Sequence, residues 1–185
     1  NAVSPRGLTL ARNYFPGSAQ SSVPSTNVMT STTSTVETNA AVASPAPLLA
    51  ARLQAKGLQL VERYQAEELF RNPRFEQGLI VFVDARDDQH YQDGHIPGAY
   101  QFNHYRAENY LATVLPVCQA AEQIVVYCTG GDCEDSEFAA VFLRDAGIAK
   151  EKLFVFAGGM TEWSTNGIPV EIGERKSGKF RPTKP

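Results

Sequence analysis

From about residue 48 onward, continuous apolar runs of strand length alternate with segments of helical period. Three runs stand out: "GLIVFVDAR" (78–86), "EQIVVYC" (122–128) and "KLFVFAG" (152–158). A short run with no polar alternation is the pattern of a strand buried on both faces. "LQLVERY" predicts a strand running into a turn, and "GAYQFN" a shorter strand. The segments between them predict helices: "PLLAARLQAKG", "QAEELFRN", "HYRAENYLATVLPVC" with Pro116 near its end, "SEFAAVFLRDAG" closed by Gly147, and a short "MTEWSTNG". Buried strands alternating with helices predict an α/β fold with a parallel sheet covered by helices. Ligands in such folds bind at the carboxyl ends of strands, where three punctuated stretches fall: Asp84–Arg86, Cys128–Gly131 and Gly158–Gly159.

Upstream the texture changes. Residues 17–47 are rich in Ser, Thr, Ala and Pro, carry one charge and read as a linker without a core. Residues 1–16 are semi-apolar, with Leu8, Leu10, Tyr14 and Phe15 costly to leave in water. They read as a frayed terminus or as a docking or juxtamembrane segment, and residues 1–47 as a tether to a protein assembly or membrane partner. The domain is expected over 48–175, with a tail at 176–185. The chain starts at Asn1, so an upstream signal or anchor is expected to be invisible in it. The linker composition and the prospect of disulfide use lean to an extracytoplasmic location.

Composition narrows the function. Hydrophobic residues make up 43%, enough for a core, and the net charge of −3 does not favour nucleic acid as a partner. No apolar run reaches the roughly 18 residues of a transmembrane helix. Three cysteines make no disulfide framework, and Cys118, in an apolar stretch, reads as a small buried hydrophobe.

The chemistry concentrates in "VVYCTGGDCEDSEFAA", residues 125–140. Cys128 ends a buried strand. Thr129, Gly130 and Gly131 open a loop that runs into a helix near Ser136. A loop of this kind turns successive N–H groups inward as an anion cradle, and the helix dipole adds to it. Gly130 and Gly131 permit a tight curl and close approach of a second sulfur.

Together with "VDARDDQHYQDGHIPGAYQFN" and "LFVFAGGMTEWSTNGIPV", this stretch resembles the rhodanese (sulfurtransferase) domain family over residues 58–172. The resemblance implies a three-layer α/β/α domain around a five-stranded, mainly parallel sheet. It implies a catalytic Cys128 that takes sulfane sulfur as a persulfide from a donor and passes it to a thiol acceptor, with no cofactor. Asp84 and Arg86 match the family's Asp-x-Arg, for which a structural salt bridge is expected. His95 matches a residue that braces a turn, and Trp163 one that packs in the core.

The loop departs from the family in two ways. Seven residues separate Cys128 from Ser136, two more than the usual five, and Asp135 stands where a basic residue is common. Asp132, Glu134 and Asp135 with no loop cation are expected to repel phosphate and thiosulfate and to oppose a thiolate. Cys133, five residues after Cys128, is a candidate resolving thiol for a persulfide or sulfenic acid. Two thiols and carboxylates without a further Cys or a well-placed His do not favour a metal site. Two readings stay open: a sulfur carrier or thiol-redox protein using both cysteines, and a catalytically weak binding module tethered by its N-terminal arm.

Overall fold

The computed structural model describes residues 45–165 and 167–181. The tether expected at 1–47 therefore lies, up to residue 44, outside the described residues. Five parallel strands, β1 (Gln59–Val61), β2 (Ile80–Asp84), β3 (Tyr100–Gln101), β4 (Gln123–Tyr127) and β5 (Leu153–Phe156), form one sheet in the order β1-β5-β4-β2-β3. This is the five-stranded α/β architecture the sequence predicted.

Alternation along each strand divides the core into two layers. Val81 and Val83 of β2, Ile124 and Val126 of β4, and Val155 of β5 face one way. They meet Leu53 of α1 (Pro45–Ala55), Val114 and Cys118 of α5 (Leu111–Ala120), and Ala139, Ala140 and Leu143 of α6 (Asp135–Asp145). Ile80, Phe82, Val125, Tyr127 and Phe156 face the other way. There they meet Ala66 of α2 (Arg63–Arg71), Phe75 of α3 (Pro73–Glu76), and Met160 and Trp163 of α7 (Gly159–Thr165). Period two then puts Cys128, one residue past β4, on the α6 side. Cys118 is fully buried in the same layer, and burial pushes its thiol up to about 12, as befits a packing residue.

Four local differences from expectation have local causes. The helix foreseen at 65–72 starts two residues earlier, because Glu62 and Gln65 close a reciprocal capping box. The helix foreseen over 104–118 is two pieces: Asn103 accepts from Tyr105 N–H and starts a separate 3-10 segment, His104–Asn109, kinked at Arg106. Pro116 lies inside α5, which continues to Ala120. The third strand is only two residues long, flanked by the Pro97–Gly98 turn and the buried Phe102. A further helix, α4 (Asp88–Asp93), is capped by the Asp87 side chain accepting from His90 N–H.

The body continues past 175. Ile172 N–H donates to Lys179 O and Arg181 N–H to Val170 O, so the segment beyond Glu171 folds back on it. Fully buried His95 joins this return. Its Nδ1 faces Tyr91 O at 2.9 Å and its Nε2 the Glu171 carboxylate at 3.2 Å.

Trp163 is fully buried, packs edge-on against Phe70, Phe82 and Phe156, and donates from Nε1 to Pro169 O. Trp163→Ala is expected to cost about 3–5 kcal/mol by urea unfolding. Phe138→Ala, at a position 46% exposed, should cost far less; equal losses would contradict this account of the core.

Candidate active site

Two loops at the carboxyl edge of the central strands interlock through their backbones. Met160 N–H donates to Cys128 O (3.0 Å), and Thr161 gives both its N–H (2.9 Å) and its hydroxyl (2.8 Å) to Thr129 O. Gly130 has φ +100°, and a methyl group there would lie 2.1 Å from the Gly158 carbonyl oxygen. Gly159, at φ +53°, would place one 2.4 Å from Cys128 O. Only residues without a β-carbon allow this approach, so the glycines around Cys128 set where its backbone sits. Gly131 also has a positive φ, +65°, but nothing lies within 4 Å of a methyl group there.

Cys128 is completely buried. Its thiol donates to Cys133 O at 3.2 Å and lies 3.5 Å from Ser136 Oγ on the first turn of α6. Cys133 is half-buried, and its sulfur is 3.6 Å from Asp135 Oδ2. Burial pushes the Cys133 thiol up and the Cys128 side chain adds to that. The Asp135 and Thr129 amides work the other way, and the thiol settles at about 11. The loop amides thus act on the second sulfur of the pair. All three cysteines are free thiols.

Beneath the loop lies Arg86. Its guanidinium grips Asp84 with two bonds, 2.9 and 2.6 Å, and donates to Gly94 O at 2.7 Å. Burial opposes its charge, but the bonds to Asp84 and the Coulomb pull of Asp84, Tyr127 and Cys128 leave its pKa raised. Arg86 is therefore a buried permanent cation that feels the Cys128 sulfur, a link that its strand-end position alone did not convey.

The loop acids prove unequal. Glu134 pairs with Arg52 of α1 at 3.0 Å. Arg52 also bonds Glu137, which is 2% exposed and takes a second cation from Lys56 Nζ at 2.6 Å. A buried carboxylate needs such partners, and this one fastens α6 to α1. Asp135 accepts from the Tyr105 hydroxyl at 3.2 Å. Asp132 is exposed, and among the described residues neither it nor Asp135 has an ion pair. The expectation of a loop without cations holds for the loop itself, but α1 supplies one from outside it. Sequence reading missed Arg52 and Lys56, which lie 85 and 81 residues from Glu137 in the chain.

The predicted residues thus gather at one place: Cys128 touches both Cys133 O and Ser136 Oγ, Thr129–Gly131 form the interlocked turn, Asp132 and Asp135 stand on the loop, and Arg86 holds Asp84 at the end of β2. A cleft of about 850 Å³ beside the loop is lined by Gly131, Asp132, Glu134, Gly158, Leu49 and Arg52, among others. Among the described residues no group of three or more His, Cys, Asp or Glu is placed to hold a metal ion, and no helix is long and apolar enough to cross a membrane.

A parallel α/β sheet with a glycine-locked cysteine at the end of its central strand defines the class of domain. The profile of the rhodanese-like domain matches residues 66–166, and the chain belongs to that family. It is 41% identical over 106 residues to an HTH-type transcriptional regulator of Mycobacterium tuberculosis, covering 57% of this chain and 43% of the regulator. The match therefore spans less than half the length of that relative. It is 27% identical over 124 residues to arsenate reductase 2.2 of Oryza sativa subsp. japonica, covering 63% of this chain and 89% of the reductase. Among solved structures, the thiosulfate sulfurtransferase of Pseudomonas aeruginosa shares the fold with a TM-score of 0.51 at 20% identity, over 76% of this chain and 25% of that one.

The two loop glycines test the interlock. Gly130→Ala should destabilise the protein by at least about 2 kcal/mol in urea unfolding, because backbone must move. Gly131→Ala should cost only the left-handed backbone penalty, about 1–2 kcal/mol. Equal, small effects would show that the two loops are not locked together.

Proposed function

We propose that the protein carries sulfane sulfur or thiol-redox equivalents on Cys128, with Cys133 as the resolving thiol. The observation that carries this reading is the pairing of the two cysteines within one glycine-locked loop, with Cys133 O accepting from the Cys128 thiol. Family membership supports it, as does the similarity to a plant enzyme named for arsenate reduction over most of that enzyme's length.

The steps balance as follows. The Cys128 thiolate attacks the outer sulfur of a persulfide or polysulfide donor; the donor S–S bond breaks, its thiolate leaves, and Cys128 becomes a persulfide. An external thiolate then attacks the outer sulfur and releases the Cys128 thiolate. Alternatively the Cys133 thiolate attacks the inner sulfur, forming a Cys128–Cys133 disulfide and expelling sulfide. That branch reduces the sulfane sulfur by two electrons taken from the two thiols, and an external dithiol must reset it. Ser136 Oγ lies 3.5 Å from the Cys128 sulfur, within reach of the anion that each step forms.

One observation favours the second reading, a binding module of weak activity. Cys128 is fully buried, and its S–H is engaged by the Cys133 carbonyl. Chemistry then requires the 131–135 stretch to lift. Intact-mass measurement after exposure to a small persulfide donor separates the two: the carrier gains sulfur and the module gains none.

Cys128→Ser should abolish sulfur uptake while keeping the fold. Cys133→Ser should let the Cys128 persulfide accumulate. In the unmodified protein that persulfide should decay to the internal disulfide with release of sulfide as HS⁻. A lifetime unchanged in Cys133→Ser would remove Cys133 from the reaction.

Asp135→Arg should raise thiosulfate turnover at least about tenfold by replacing a repelling charge at the lip with an attracting one. No change in a steady-state thiosulfate assay would contradict the electrostatic reading of the lip.

A further inference from the structure

A persulfide on Cys128 has two exits, and they differ in where charge must develop. In the first, an external thiolate bonds the outer sulfur, the Cys128 S–S bond breaks, and Cys128 leaves as a thiolate. In the second, Cys133 gives up its thiol proton and bonds the inner sulfur, and the outer sulfur departs with that proton as HS⁻. Only the second exit builds negative charge on Cys133.

The surroundings of Cys133 oppose that charge. Its S–H donates to Asp135 Oδ2 at 3.6 Å, and its backbone N–H donates to Gly130 O at 3.4 Å. The Asp135 carboxylate is held in turn from outside the loop. The hydroxyl of Tyr105, in the 3-10 segment His104–Asn109, donates to Asp135 Oδ1 at 3.2 Å. One carboxylate oxygen thus faces the thiol and the other faces the phenol. The Asp135 charge, through space and through this bond, pushes the Tyr105 phenol above its ordinary value.

No cation offsets Asp135. Among the described residues it has no ion pair, and Arg52, the cation that reaches the loop, is taken by Glu134 and Glu137. His104 feels the Asp135 charge, but burial outweighs it and holds the imidazole below its ordinary value, so the ring is neutral at pH 7. The titratable side chains facing Cys133 are therefore Cys128, Asp135 and Tyr105, none of them a cation. A carboxylate in contact with a thiol stabilises the S–H and opposes the thiolate.

We propose that Asp135, positioned by Tyr105, holds Cys133 as a thiol and so directs the Cys128 persulfide to an external thiol acceptor, leaving the internal disulfide as the slow exit taken when no acceptor arrives. The inference rests on the sulfur-carrier reading and adds to it a residue that sets the product. An external thiolate forms its charge in solvent, where the Asp135 field is screened.

The test loads the full chain with sulfur from a small polysulfide, removes the donor and follows intact mass at pH 7. A Cys133 titration lower by about one pH unit gives about ten times more thiolate there, each about threefold less nucleophilic, a net gain of about threefold. In Asp135→Asn the persulfide should therefore convert to the Cys128–Cys133 disulfide at least about threefold faster, and Tyr105→Phe should move the same way by less. With N-acetylcysteine supplied as acceptor, Asp135→Asn should leave a larger share of the protein as disulfide. A second readout needs no persulfide. In a Cys128→Ser background, the pH profile of Cys133 alkylation by iodoacetamide should bend at least about one pH unit lower when Asp135→Asn is added. Mere loosening of the loop would raise the rate without moving the bend. An unmoved bend, or sulfur uptake followed by equal persulfide lifetimes in both proteins, would overturn the inference and leave the sulfur-carrier reading standing. No sulfur uptake by the unmodified protein would overturn that reading, and the choice of exits with it.

Discussion

The contact of backbone on backbone between the loop after β4 and the loop after β5 is the constraint on which the site depends. Gly130 and Gly159 each occupy space that any side chain would fill, and the Cys128 and Thr129 carbonyls are taken by Met160 and Thr161. The register of two adjacent parallel strands thus transmits directly into the position of one sulfur. The strands beneath are largely buried on both faces, so the loops rest on the packed core.

Charge is arranged around that fixed point in layers. Arg86 is locked below by Asp84, the Arg52–Glu137–Lys56 cluster fastens the start of α6 at the side, and Asp132 and Asp135 stand at the mouth. The interior charges are paired with one another, and the unpaired carboxylates stand at the mouth. Such a site suits sulfur that arrives on a thiol better than sulfur that arrives as a small oxyanion.

Much of this was legible in the sequence because the signals were local. The runs at 78–86, 122–128 and 152–158 are strands, their order with the helices gave a parallel sheet, and the paired glycines marked the turns. What escaped reading depends on contacts distant in sequence or on side-chain competition with the backbone. Arg52 lies more than 80 residues from Glu134 and Glu137, and nothing near it announces the pairing. Asn103 and Glu62 shifted helix starts through capping, which overrides apolar period at element ends. The two-residue length of β3 follows from where Pro97, Gly98 and Phe102 fall relative to a neighbour that sequence does not display.

The central claim is that Cys128 and Cys133 act as one pair. Peptide mapping of the fully reduced protein after treatment with limiting polysulfide, without added reductant, tests it most directly. The account predicts an intramolecular Cys128–Cys133 disulfide, Cys118 still a free thiol, and sulfide released in proportion to the disulfide formed. A disulfide through Cys118, a link between two chains, or two unmodified loop thiols would contradict it.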